Sequence, residues 1–196
     1  MRKSSLALAL LLLASTLQSC GIFSKVIVEQ DEVSGTKRNR TEFQYWGARE
    51  WSSPLMHNTQ TILKETGATG KITVRIFDRI QLKMNSFRLD KRVYLIIDGK
   101  PYTAQVEDME FDQLTSFQEK RKDVLTADSS KVSVVTGYDR SESKYYKLTY
   151  TLNPETVEKI KTCRKLRFRY YSGPDMITTT MNGWELNLLK YMLDRL

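Results

Sequence analysis

The sequence predicts a mainly β fold, an antiparallel sandwich or rolled sheet, with a short helix near 154–162 and a C-terminal helix near 183–195. Three observations predict it. Apolar and polar residues alternate with a period of two in several segments. Asp98-Gly99 sits between two β-rich runs, the pair that a tight hairpin turn with positive φ favours. Only two segments combine an N-cap residue with apolar spacing of helical period.

The elements follow in order. Residues 25–33 have the Val and Ile content of a strand, and 41–46 alternate in the same way. Residues 49–59 read as a loop. In 71–77, Ile72, Val74 and Ile76 alternate with Lys71, Thr73 and Arg75, a half-buried strand after a turn marked by Gly67 and Gly70. Residues 92–97 and 102–106 flank the Asp98-Gly99-Lys100 turn. Residues 107–123 are ambiguous, part strand and part polar loop or helix. Residues 131–138 and 144–152 read as a hairpin through a polar loop at 139–143.

Asn153 caps a helix whose first position is Pro154 and whose Glu155 and Glu158 suit the positive end. Strands at 166–171 and 176–181 surround a Ser172-Gly173-Pro174-Asp175 turn. Asn182 then caps the terminal helix, in which Trp184, Leu188, Leu189, Met192, Leu193 and Leu196 form one apolar stripe. Residues 25–196 are expected to form a single β-rich domain, and a hydrophobic content of 40% supports a sizeable core.

The opening segment has a different logic. Arg2 and Lys3 precede a run of Leu and Ala, and small polar residues close it. This is the layout of a secretory signal peptide over 1–19, too short for the ~20 apolar residues that a membrane span needs. It ends in Leu17-Gln18-Ser19-Cys20-Gly21. Leu17, Ser19 and Cys20 match the lipobox, and the segment resembles that of bacterial lipoprotein precursors, with Gln18 in a place where Bacteroidetes-like signals tolerate it. The resemblance implies lipidation of the Cys20 thiol, cleavage before it, and acylation of the new amino terminus by a chain such as palmitate. Residues 20–24 would then be a lipidated tether. More than one acyl chain makes attachment effectively permanent. No dense acidic run directly follows Cys20, although Glu29, Asp31 and Glu32 lie nearby. Such a run marks export to the surface in some lipoproteins of this kind, so the expected place is the outer membrane, facing the periplasm.

The charge of +8 falls to +6 once Arg2 and Lys3 leave with the leader. In an exported protein this points to envelope anions and away from nucleic acid. With Cys20 acylated, Cys163 has no partner for an internal disulfide and reads as a small buried hydrophobe.

The usual chemistry is not visible. His57 is the one histidine, no Gly-x-Ser-x-Gly elbow occurs, and the ligand types and spacings of a zinc site are missing. Asp108, Glu110 and Asp112 alternate, which puts them on one strand face and not around a calcium loop. No cofactor or metal is expected. A carboxylate-based envelope hydrolase stays open, because two acids can meet in the fold alone.

Two features suit binding. Lys159, Lys161, Arg164, Lys165, Arg167 and Arg169 are the densest cations. If Leu166, Phe168 and Tyr170 face the core, Arg167, Arg169 and Tyr171 face out together and can grip anionic groups. Phe43, Tyr45, Trp46 and Trp51 are the second feature, with Trp46 and Trp51 the candidates for stacking on sugars. The expected function is that of a membrane-anchored envelope lipoprotein, a non-catalytic binding or assembly module whose partner is an envelope protein or an anionic glycan. A binder of anionic or sugar polymers through the basic strand face is the alternative.

Overall fold

The structure is a computed structural model and describes residues 25–47, 53–125 and 130–195. Ten strands and two helices follow one another within these residues. They are β1 (Ile27–Asp31), β2 (Thr36–Trp46), β3 (Leu55–Thr66), β4 (Ile72–Lys83), β5 (Arg92–Ile97), β6 (Lys100–Gln105), β7 (Asp108–Leu125), β8 (Lys131–Leu152), α1 (Pro154–Thr162), β9 (Leu166–Ser172), β10 (Asp175–Thr180) and α2 (Gly183–Asp194). All pairing is antiparallel. One sheet has the order β1-β2-β3-β4-β8-β7 and curls into a half-barrel; the other has the order β10-β9-β5-β6.

The fold is thus the mainly β, two-sheet architecture expected. The Asp98-Gly99 turn joins β5 to β6 with φ of 47° and 86°, the two positive values that a type I′ turn demands. Both helices begin where their caps stand. Asn153 accepts from the Thr156 amide, and Asn182 and Glu185 form a reciprocal capping box. Side chains from both sheets and both helices meet in one cluster, among them Phe43, Ile76, Ile80, Tyr146 and Leu148 of the large sheet, Leu95 and Phe168 of the small one, and Ile160, Leu189 and Met192 of the helices.

The structure corrects the sequence reading in several places. The expected loop at 49–59 ends early: β3 already runs from Leu55, and His57 is a strand residue paired with Trp46. The expected polar loop at 139–143 does not exist, because β8 is one unbroken strand of 22 residues. The ambiguous segment at 107–123 is the 18-residue strand β7. In α2 Leu189, Met192 and Leu193 of the expected stripe are buried and Leu188 packs beside them, but Leu186 joins the buried face and Trp184 stands at its margin, about half exposed. Cys20, Trp51 and Leu196 lie outside the described residues.

Candidate functional site

Most of β7 and the first half of β8 leave the body altogether. β4 pairs with β8 only from Ser143 onward, whereas the β7–β8 ladder continues from Thr115↔Glu142 to Leu125↔Lys131. At a rise of ~3.3 Å per residue, that two-stranded stretch is about 35 Å long. Every residue from 110 to 124 is exposed, as is every residue from 131 to 141 except Gly137, which is half-buried. The ribbon therefore has solvent on both faces. Among the described residues both its edges are free of strand pairing as well, since β7 is the last strand of the sheet and β4 has already ended.

Its side chains are not those of an ordinary loop. The face that continues the core side of the sheet carries Met109, then Phe111 against the ring of Tyr146 at 5.0 Å, then Phe117 and Tyr138. Phe117 is 67% exposed and Tyr138 64%. Beyond the bulge at Lys120/Arg121 come the exposed Val124, Val132, Val134 and Val135. Between these apolar patches lie Lys120 and Asp139, and Arg121 and Glu119, paired across or along the ribbon. Asp108, Glu110 and Asp112 project from the opposite face, with Glu110 accepting from Lys147 at 2.6 Å. Among the described residues no group of three or more metal-binding side chains occurs.

A second feature is a cleft of about 860 Å³ along the part of β2 that β1 leaves unpaired beyond Ile27↔Arg40. Lys25, Arg40, Glu42, Gln44 and Trp46 line one side, and Asn182, Trp184 and Glu185 of the α2 N-terminus line the other. Trp46 is 73% exposed, and its indole rests on the His57 ring with centroids 4.2 Å apart. Glu42 accepts from Thr61 and from Arg79. Arg40 reaches Glu29 only at 4.0 Å, with both side chains about half exposed.

The six cations singled out in the sequence fall on three different elements. Lys159 and Lys161, on α1, pair with Glu155 and Glu158, and Lys159 also lies over the Tyr102 ring. Arg164 and Lys165 form the link after the helix, where their amides donate to Asp98 Oδ1. Arg167 and Arg169 point outward from β9, as expected, while Leu166, Phe168 and Tyr170 are buried. Arg169 lines an open groove of about 550 Å³ with Arg92, Tyr94 and Tyr171, and it donates to Thr178. Tyr94 meets Tyr171 edge to face.

The most concentrated chemistry is internal. The Asp78 carboxylate is fully buried and accepts from Tyr150 and Tyr170 hydroxyls at 2.9 and 2.8 Å on one oxygen, and from Gln60 at 2.9 Å on the other. Burial pushes its pKa up to about 6 against the pull of those three donors. None of the clefts above includes Asp78 in its lining. The network ties β3, β4 and β8 of one sheet to β9 of the other, so its evident work is to lock the two layers together. Cys163 is buried too, and burial raises its thiol pKa, which opposes thiolate formation despite Arg164 and Lys165.

Sequence reasoning found Trp46, Arg167 and Arg169 but missed Phe117, Tyr138 and Trp184. Only the run Val132-Ser133-Val134-Val135 hinted at the ribbon. Comparison with protein-family models, curated proteins and solved structures finds no match to this chain.

Proposed function

We propose that this chain is a lipoprotein of the bacterial envelope, held to the membrane by acyl chains on Cys20 and facing the periplasm from the outer membrane. Its folded body acts as a binding or assembly module, not as a catalyst. The observation that carries the binding reading is the β7–β8 ribbon. A two-stranded ribbon in water is only marginally stable and usually gains a third strand or a packed face. This one offers an unpaired edge along β7 and an exposed aromatic face at Phe117 and Tyr138. Both suit an extended segment of another envelope protein, which would add backbone hydrogen bonds at the edge and bury the rings.

The test is capture of the full-length, acylated chain from its native envelope, beside a Phe117→Asp/Tyr138→Asp variant. Loss of the co-purifying proteins with the variant is expected, together with an acylated Cys20 in the mass of the N-terminal peptide. The same proteins retained by the variant would refute docking through the ribbon. An unmodified thiol at Cys20 would refute the anchoring.

A second reading draws on the groove over β5 and β9. Arg92, paired with Asp90, and Arg169 line it with two tyrosine rings, and outside its lining, on the same strand as Arg169, Arg167 Nε is buried without an acceptor among the described residues. This arrangement suits an anionic or sugar polymer. Arg167→Glu with Arg169→Glu would abolish such binding and leave the ribbon's partner in place.

A further inference from the structure

We propose that the cleft beside β1 is a membrane seat, in which Trp46 and Trp184, with Lys25 and Arg40, rest in the phospholipid headgroup zone of the leaflet that carries the anchor. The proposal deepens the anchoring reading and depends on it for its geometry.

The first support is reach. Lys25 is five residues after Cys20 and lines the cleft. At most ~3.6 Å per residue, the tether can carry that end of the cleft no more than about 18 Å from the acylated sulfur. The tether therefore keeps the Lys25 end of the cleft close to the membrane whenever the lipid is inserted, near enough for the cleft to seat on the headgroup layer.

The second support is the kind of side chain found there. A soluble surface rarely leaves indole rings as open as Trp46, whereas Trp is at its best at the membrane interface, with its ring among the headgroups and its N–H in contact with water. The His57 ring fixes Trp46 from behind, so that its other face is presented without a further ordering cost. The third support is charge. The cleft's acids are engaged internally, Glu42 with Arg79 and Thr61, Glu185 with the cap of α2. Lys25 is exposed, and among the described residues the one ion pair of Arg40 is the long one to Glu29, which suits both cations to lipid phosphates.

β1 and β7 are the opposite edges of the large sheet. Seating the β1 side on lipid thus puts five strand spacings, about 24 Å measured across the sheet, between the membrane contact and the strand that carries the ribbon.

Two measurements on the mature chain, residues 20–196, test this. The acylated protein is placed in vesicles of phosphatidylethanolamine and phosphatidylglycerol containing lipid brominated near the headgroup. Quenching of tryptophan fluorescence is expected, and Trp46→Phe should remove a third of it or more. The unacylated Cys20→Ser chain is then sedimented with the same vesicles. Weak binding is expected, and Arg40→Glu, which exchanges a cation for an anion, should lower it about thirtyfold at roughly 1 kcal/mol per charge.

Unquenched fluorescence, or quenching that Trp46→Phe leaves intact, overturns the seat. So does protection of Trp46 from acrylamide by soluble dextran but not by vesicles, which would make the cleft a sugar site. Should native Cys20 prove unacylated, the anchoring reading fails on its own. The sedimentation result then decides the seat: salt-sensitive binding lost in Arg40→Glu supports it, and no binding overturns it.

Discussion

Replacing Asp78 by Asn should change how stability depends on pH, and the size of the change follows from its surroundings. In the unfolded chain this carboxyl has the ordinary pKa of 3.8; in the fold burial pushes it up to about 6. The folded state therefore holds the proton more tightly. Between pH 3.8 and 6 the folded protein binds more protons than the unfolded one, so stability falls as pH rises through that window and is flat above it. A difference of about 2.2 pH units at 1.36 kcal/mol each gives roughly 3 kcal/mol. Asn retains the shape and cannot ionise, so this component vanishes in the variant. Glu65 and Asp31, whose pKa values are lowered by hydrogen bonds from Arg75 and Ser34 respectively, contribute with the opposite sign in both proteins and cancel in the comparison. Urea unfolding of the full-length Cys20→Ser chain, with and without Asp78→Asn, from pH 4 to 7.5 measures the difference. Relative to its parent, the Asn variant should gain about 2.4 kcal/mol between pH 4 and 7, the part of that term which falls inside this range. Parallel curves, with a constant difference across that range, would refute the account of Asp78 as a buried, shifted acid.

Lys64→Met should cost about 2 kcal/mol in the same assay, because the buried ammonium donates to the Leu193 carbonyl at 2.6 Å and to that of Arg195, and Met leaves both oxygens at the end of α2 without that donor. Gly173→Ala should lower stability by roughly 1 kcal/mol: φ is +59°, and the new methyl would meet the Phe87 ring at 2.6 Å. Phe117→Asp with Tyr138→Asp should shift the unfolding midpoint of the body by less than about 0.5 kcal/mol, since both rings are already in solvent. A larger shift would mean that the rings pack on the body and are not free to dock.

What could be read in the sequence was whatever obeyed a local rule. The Asp98-Gly99 turn, the Asn153 and Asn182 caps and the inward Leu166, Phe168 and Tyr170 each depend on neighbours a few residues away. The misreadings have a shared physical cause. β3 presents Asn58, Gln60 and Lys64 to the interior, where Gln60 serves Asp78, Asn58 donates to Tyr170, and Lys64 caps α2. Polar residues stand where the period of two would require apolar ones, so the strand read as a loop. β4 extends past its recognised stretch for the same reason, through the buried Asp78. In the ribbon neither face is buried, and no alternation is imposed on residues 114–124 or 131–141. A strand with solvent on both sides has little hydrophobic signature: 131–138 could still be read as a strand, whereas 107–123 stayed ambiguous. The cleft was half legible: Trp46 could be named, but the arrival of Trp184 from a helix more than a hundred residues later could not.

The composition of the ribbon separates affinity from specificity. A long, open strand edge invites uncontrolled pairing, and charges along it are the usual defence. Here Glu119, Lys120, Arg121, Lys122 and Asp123 interrupt the apolar stretches of Phe117 on one side and Val124 with Val132 and Val134 on the other. The ion pairs among them, Arg121 with Glu119 and Lys120 with Asp139, are at least 45% exposed at every partner and worth no more than about 1 kcal/mol each, so a docking strand can exchange them at little cost. Because side chains alternate along a strand, a docking strand that slipped by one residue would turn its side chains to the other face of this charged block. The aromatic face supplies area in any register, whereas the block rewards only one. If the ribbon docks a strand as proposed, this block favours a segment whose charges answer its own.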